Sequence, residues 1–73
     1  MNVSIEEKEL ENLFIYHAPK GDQAKRYETL RAGGLAIARI IVTHCPDSRE
    51  RSLAVTKMRE AIMWANAAIA RNE

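Results

Sequence analysis

The chain has 73 residues, enough for one domain but too few to bury a large apolar core. Its 11 Lys and Arg residues nearly balance its 10 Asp and Glu residues. The resulting formal charge of +1 excludes the strongly basic signature of a protein that binds long nucleic acids. So small a domain needs an additional source of stability. Cys45 is the only cysteine, which excludes an internal disulfide, so we expect self-association as a homo-oligomer.

Neither end of the chain nor its middle resembles a membrane or export segment. Apolar runs are far shorter than the roughly 20 residues that a membrane span needs. The N-terminal stretch MNVSIEEKELE is acidic and lacks the basic and then apolar regions of a signal peptide. The unpaired Cys45 is typical of a reducing compartment. These features predict a cytoplasmic protein with no membrane partner.

A first, short helix is predicted over about residues 5–15. Ser4 and Glu7 have the spacing of a capping box, in which each side chain satisfies a backbone amide of the other residue. Leu10, Leu13 and Phe14 form a short apolar stripe at helical spacing. A helix of about three turns is not stable in isolation, so this stripe must dock on something.

A second helix is predicted over about residues 22–44. The segment that precedes it contains Pro19 and Gly21, which favour a loop, and Asp22 is a suitable N-cap. Apolar or small residues then recur at helical spacing, at Tyr27, Leu30, Gly34, Ile37 or Ala38, and Ile41.

Gly33 and Gly34 interrupt this second pattern, at a cost of about 1 kcal/mol each relative to alanine. Two interpretations are open. The glycines either kink the helix or form a notch that admits a neighbouring helix or a ligand. We favour the notch.

A third helix is predicted over about residues 48–72. Pro46 ends the second helix, and either Asp47 or Ser48 begins the third. Asp47 and Glu50 again have capping-box spacing. Because the connection is short, the two long helices must run antiparallel. The predicted fold is therefore all-α, a short N-terminal helix plus a long antiparallel helical hairpin, with residues 1–73 as a single helical-hairpin domain.

The third helix carries two ridges. One contains Met58, Ile62, Ala65 and Ile69, and the other contains Ala54, Ala61, Ala65 and Ala68. Alanine ridges allow close approach of another helix, so this helix is predicted to contact other copies of the chain. We assign Trp64, which lies among these alanines, to interface packing.

Few residues suggest catalysis. The sequence contains no phosphate-cradling glycine loop, no HExxH and no GxSxG motif, so we expect neither an enzyme nor a metal site nor a cofactor. His17, His44 and Cys45 could act chemically only with partners that the sequence does not provide, and we interpret them as structural.

Basic and aromatic residues gather in the loop and the second helix. The basic members are Lys20, Lys25, Arg26, Arg31 and Arg39, and the neighbouring rings are those of Tyr16, His17 and Tyr27. One interpretation is a solvated helix face, balanced by Asp22 and Glu28. The other is a site for a small anionic nucleotide, because arginine binds phosphate oxygens and tyrosine stacks on bases.

Several stretches, in order, resemble a known family. They are Tyr16-His17-x-Pro19, Arg26-Tyr27-Glu28-x-Leu30-Arg31, Pro46-x-Ser48-x-Glu50 and Met63-Trp64-Ala65-Asn66-Ala67-x-Ile69-Ala70. Together they are similar to the phage anti-CBASS protein of the second type, which shares a helical-hairpin domain with type-one anti-Thoeris proteins. The similarity runs from about Phe14 to Glu73. The extra N-terminal β-region of the anti-Thoeris relatives is absent.

This resemblance implies a homohexameric sponge that sequesters cyclic dinucleotide signals (cGAMP-like), without cleavage, in the cytoplasm of an infected bacterium. The stacking tyrosine of the family corresponds to Tyr16 and its phosphate-binding basic residue to Arg31. With the cluster described above, the expected ligand-binding residues are Tyr16, Arg31, His17, Lys20 and Tyr27. A second site, for cyclic trinucleotides, maps onto Gly33 and Arg71, although the family places a hydroxyl residue near Gly33.

Two other functions compete with this one. A helical oligomerisation or adaptor protein that binds no ligand would explain the alanine ridge. It would leave the pairing of Tyr16 with Arg31 as coincidence. An enzyme that degrades the same signals is the weaker rival, since the sequence lacks acid–base or metal-binding groups.

Overall fold

Three helices make up the regular structure of the chain. The computed structural model describes residues 6–73, in which α1 spans Glu7–Phe14, α2 spans Gln23–His44 and α3 spans Arg49–Asn72. No strand occurs in this range, so the predicted all-α class is confirmed. Ser4 and Ile5, on which the predicted capping box and start of the first helix depend, lie outside the described residues.

α2 and α3 form an antiparallel hairpin. Arg26, near the start of α2, bonds Glu73, which follows the end of α3. Gly34, midway along α2, lies against Ile62. Near the turn, Arg51 of α3 donates a hydrogen bond of 3.2 Å to the carbonyl of Val42. The hairpin predicted from the short connection is therefore confirmed.

Ser48 and Arg51 hold the closed end of the hairpin. The Ser48 hydroxyl accepts the Arg51 amide at 3.1 Å, so Ser48 is the N-cap of α3. The Arg51 guanidinium donates to the carbonyls of Val42 and Cys45, which have no partner within α2. The Asp47 carboxylate lies 3.1 Å from Arg51, and Ser48, not Asp47, makes the cap.

Glu73 closes the open end of the hairpin. Its carboxylate accepts two bonds from the Arg26 guanidinium, one of them 2.9 Å long, and a third of 3.2 Å from Gln23 Nε2. The Gln23 side chain is 4% exposed, and its Oε1 accepts the Lys20 amide at 3.1 Å. Asp22 precedes α2 but makes no side-chain cap. Its carboxylate pairs with Arg26 at 3.2 Å instead.

The seam between the long helices follows the predicted spacing. Tyr27, Leu30, Ala38 and Ile41 of α2 are half-buried, as are Met58, Ile62, Ala65 and Ile69 of α3. Of the two candidates at one turn, Ala38 is half-buried whereas Ile37 is exposed. Small residues on α2 allow the backbones to approach closely.

The two helices come into close contact at Gly34. A Cβ atom built on it would lie 2.6 Å from Cγ1 of Ile62, whereas one on Gly33 would meet nothing within 4 Å. α2 is helical through both glycines. The glycine pair is therefore a notch at Gly34 that admits α3 of the same chain, and Gly33 faces open space.

The isolated protomer has almost no interior. Among the described residues only Gln23 and Gly34 are buried, and no apolar side chain is. The radius of gyration is 16.0 Å, against about 11 Å for a compact chain of this length. α1 packs extensively on neither hairpin helix. A protomer built in this way leaves most of its apolar surface available to other molecules.

Candidate ligand-binding groove

One face of the hairpin carries a groove between α2 and α3, with a volume of about 450 Å³. We call this feature the groove. Its apolar floor comes from both helices, and its polar residues are two arginines and one asparagine. The lining consists of Arg31, Gly34, Leu35, Ala38, Val55, Met58, Arg59, Ile62, Met63 and Asn66. An apolar floor beside two arginines suits a ligand or partner that has a flat or apolar part and a negative charge.

Arg31 and Arg59 lie toward opposite ends of the groove. Because Gly34 faces Ile62, Arg31 is displaced by three residues toward the open end of the hairpin and Arg59 by three toward the closed end. At 1.5 Å per residue the separation along the axis is about 9 Å. Neither arginine takes part in a salt bridge among residues 6–73, and no carboxylate lines the groove. Their charge is therefore available to an anion.

Asn66 is the other polar residue of the groove. Its Oδ1 atom is shielded from solvent and has no hydrogen-bond partner among the described residues. The Tyr27 hydroxyl is likewise shielded from solvent and has no hydrogen-bond partner among the described residues. Unpaired buried polar atoms cost free energy, so both residues are placed where a partner would stabilise them.

The predicted binding residues do not all meet in one protomer. Arg31 lines the groove, whereas Tyr16, which is 83% exposed, does not. Tyr16 belongs to the segment before α2, and Arg31 lies eight residues into α2, about 12 Å along its axis. Within the protomer the groove therefore contains Arg31 without Tyr16.

The other predicted residues have visible structural roles. His17 is half-buried, and its Nε2 donates a hydrogen bond of 3.0 Å to the carbonyl of Asn12, one of the unpaired carbonyls at the end of α1. The Lys20 side chain is exposed near the open end of the hairpin. Tyr27 is half-buried in the seam, so its ring is less accessible than that of Tyr16.

The residues of the expected second site are separate within the protomer. Gly33 lies exposed midway along α2, and Arg71 is exposed in the last turn of α3. Arg71 is nine residues beyond Ile62, which marks the level of Gly34, and Gly33 is one residue from Gly34 in the same direction. About 12 Å of helix axis therefore separates Gly33 from Arg71.

Five groove residues had no role predicted from the sequence, namely Leu35, Val55, Arg59, Met63 and Asn66. For the last three a signal was available, because they follow one another at spacings of four and three and therefore share a helix face. That face is mixed in polarity, so it is less conspicuous than the apolar and alanine ridges beside it. The role of Glu73 was not predicted either, since no local pattern indicates it.

The described residues contain no cluster of side chains that could bind a metal ion beside the groove. Within residues 6–73, no three His, Cys, Asp or Glu side chains lie close enough together to hold a metal ion. Cys45 is exposed at the closed end of the hairpin, and α2 places it about 33 Å from the open end near His17. Of the helices in this range, none combines the length and apolarity that crossing a membrane requires.

An apolar groove lined by two arginines is typical of a small helical domain of the binding type. Comparison with known families makes this specific: residues 6–70 match the family model described as the Acb2/Tad1 hairpin domain, so the chain belongs to this family. The family indicates a phage anti-defence role and is not a known family of enzymes. No curated protein and no solved structure matches the chain significantly.

Proposed function

We propose that the chain is a sponge that binds cyclic dinucleotides of the cGAMP type and withholds them, uncleaved, from the CBASS effectors of the infected bacterium. Residues 1–73 act as a single domain in the cytoplasm of the host cell. The protein works as a homo-oligomer, a hexamer in the family's arrangement, and its binding sites lie between copies.

The observation that carries this proposal is the position of Arg31. It stands at one end of an apolar groove with no carboxylate partner among the described residues. A cyclic dinucleotide has two phosphates and two flat bases, so it needs cations beside apolar surface. Two copies related by a two-fold axis would offer two such arginines to a ligand with the same symmetry.

Tyr16 supplies the second half of the proposed site. Its ring is exposed in the protomer, as expected of a residue that stacks on a base. Lys20, His17 and Tyr27 surround the same end of α2 and would orient the ligand. Cyclic trinucleotides would bind elsewhere, at a site formed by Gly33 and Arg71 of several copies.

Titration calorimetry against a panel of cyclic dinucleotides tests the binding residues. We expect Arg31→Ala and Tyr16→Ala each to weaken binding at least about tenfold, since each removes roughly 1.5 kcal/mol or more of charge-assisted or stacking contact. Tyr16→Phe keeps the ring and should bind normally. Arg49→Ala removes an exposed arginine outside the groove and serves as the matched control. Full affinity in both alanine variants would show that the site has been assigned wrongly.

Recovery of the ligand tests the absence of cleavage. The complex is incubated, heat-denatured and analysed by chromatography, and a sponge returns the cyclic dinucleotide intact. Chemically altered ligand would identify an enzyme. If no cyclic nucleotide binds at all, the adaptor function becomes the better account, supported by the exposed apolar residues of the hairpin.

A further inference from the structure

α1 is an acidic amphipathic helix that contacts the rest of the described protomer only sparsely. Its sequence EKELENLF carries three glutamates and one lysine. Leu10, Leu13 and Phe14 lie on one side and are 41%, 45% and 82% exposed. The helix packs extensively on neither α2 nor α3. Eight residues do not hold a helix by themselves, so α1 must be stabilised by another surface.

The groove is complementary to this helix in charge. Its two arginines have no acidic partner among the described residues, while α1 has three glutamates and no basic residue in its last turn. Glu7 shares a face with Leu10 and Phe14, because the spacings are three and seven residues. One side of α1 therefore presents an apolar stripe with a carboxylate at its N-terminal end.

The spacing of the two arginines and the length of the helix also agree. The axial distance between Arg31 and Arg59 is about 9 Å, and the distance from Glu7 to Phe14 along α1 is about 10 Å. If Glu7 meets Arg59, the C-terminal end of α1 reaches the level of Arg31. Tyr16, two residues past that end, then stands beside Arg31.

We propose that α1 of one copy docks in the groove of a second copy, with its apolar stripe on the floor and Glu7 against Arg59. In a two-fold pair each copy gives its α1 and receives one, which closes the contact. The position given to Tyr16 rests on the function proposed above, whereas the docking does not. With α1 on the floor, the ligand would bind at the Arg31 end of the groove, between Arg31 and Tyr16 of the docked copy, and not along the floor itself.

Intermolecular disulfide formation tests the docking without any ligand. In a Cys45→Ser background, one chain carries Leu13→Cys and a second chain of different mass carries Met63→Cys. We expect the two co-expressed chains to cross-link to each other on mild oxidation far more than either links to itself. Leu10→Cys with Leu35→Cys provides a second pair at the middle of the groove. Lys8→Cys lies on the opposite side of α1 and should give little product with either groove cysteine.

Two results would overturn the docking. One is equal cross-linking from Lys8→Cys and Leu13→Cys. The other is failure of both groove pairs in a protein that still associates. A chain carrying Leu13→Cys and Met63→Cys together must give mainly products larger than one chain, since a monomeric disulfide would place α1 in its own groove.

Charge reversal gives an independent measurement. Glu7→Arg or Arg59→Glu alone should weaken association by about tenfold in sedimentation, because each reversal puts like charges together. The double variant should recover the original association. Glu9→Arg makes the same change in the same turn, on another side of α1, and should have a much smaller effect.

Calorimetry keeps this inference separate from the proposed function. Suppose that cross-linking persists in Arg31→Ala and that the unmodified protein binds no ligand. That result would support the docking and exclude the sponge function. Normal ligand binding without any groove cross-link would support the sponge function and exclude the docking.

Discussion

Gly34 and Ile62 lie in direct contact across the hairpin, where a Cβ atom on the glycine would lie 2.6 Å from Cγ1 of the isoleucine. The Ile62 side chain occupies the space that a side chain at position 34 would need. Glycine lowers helix stability by about 1 kcal/mol relative to alanine, and the close packing of Ile62 at this position offsets that loss.

Gly34→Ala should therefore destabilise the protein even though alanine favours helix. The helical gain of about 1 kcal/mol is outweighed by overpacking, which costs about 1–3 kcal/mol. Gly33→Ala is the matched control, and we expect it to stabilise by about 0.5–1 kcal/mol because its Cβ meets nothing. Urea unfolding at one fixed protein concentration compares the two, and an equal shift in both would contradict the notch.

Shortening Ile62 should relieve the clash. In Ile62→Ala the nearest remaining side-chain atom is Cβ, which lies 3.9 Å from the Gly34 position. Gly34→Ala should therefore be less harmful in the Ile62→Ala background than in the natural one. A double-mutant cycle measures this coupling, and we expect about 1 kcal/mol or more. Strict additivity would mean that the two residues do not compete for space.

Loss of the Ser48 cap should cost about 1 kcal/mol. Ser48→Ala leaves the amide of Arg51 without its 3.1 Å partner at the start of α3. Ser52→Ala changes an exposed serine inside the same helix and should be neutral or slightly stabilising, since alanine has the higher helix propensity. Thermal unfolding of the two variants distinguishes a capping role from a general effect of removing hydroxyls.

Acid should weaken the open end of the hairpin. The hydrogen bonds from Arg26, and after them those from Gln23, lower the pKa of Glu73 from 4.5 to about 2. The carboxylate correspondingly raises the pKa of Arg26. A depressed pKa in the folded state means that the stabilisation is complete above pH 4.5 and is lost as the pH falls toward 2. Because both side chains are about 40% exposed, solvent screening keeps the contribution small.

Glu73→Gln is the control for this titration. It removes the titrating group and should abolish that part of the pH dependence while lowering stability at neutral pH. Direct measurement of the Glu73 carboxyl by nuclear magnetic resonance gives its pKa without unfolding. A value near 4.5 would mean that the clamp with Arg26 does not form in solution.

Stability should also rise with protein concentration. Almost no apolar side chain among the described residues is buried, so contacts between copies in the proposed homo-oligomer would supply much of the folding free energy. We expect the thermal midpoint to increase across a hundredfold concentration series. An unchanged midpoint would indicate a protomer that is stable by itself.

The sequence predicted the hairpin well because its determinants are local. Pro46 ends α2, Ser48 begins α3, and the spacing from Tyr27 to Ile41 marks the face that packs. The interpretation of the glycine pair was also sound, although only the coordinates distinguish Gly34, which is blocked, from Gly33, which is open. The start of the first predicted helix lies outside the described residues.

The groove was harder to predict than the hairpin. Arg31 was expected from the family resemblance, but Arg59 and Asn66 become neighbours of Arg31 only when α3 packs against α2. The clamp of Glu73 on Arg26 joins residues 47 positions apart, so no local pattern could reveal it. Tyr16 does not line the groove that contains Arg31, and the site that would join the two residues between copies is a proposal.

The exposed thiol at the turn gives each copy a single chemical handle. Cys45 is the only cysteine of the chain, and it lies at the end of the hairpin opposite the Glu73 clamp. A maleimide dye would attach there once per chain. Counting dyes by stepwise photobleaching then counts chains in an assembly, and energy transfer between dyes reports how the turns of neighbouring hairpins are arranged.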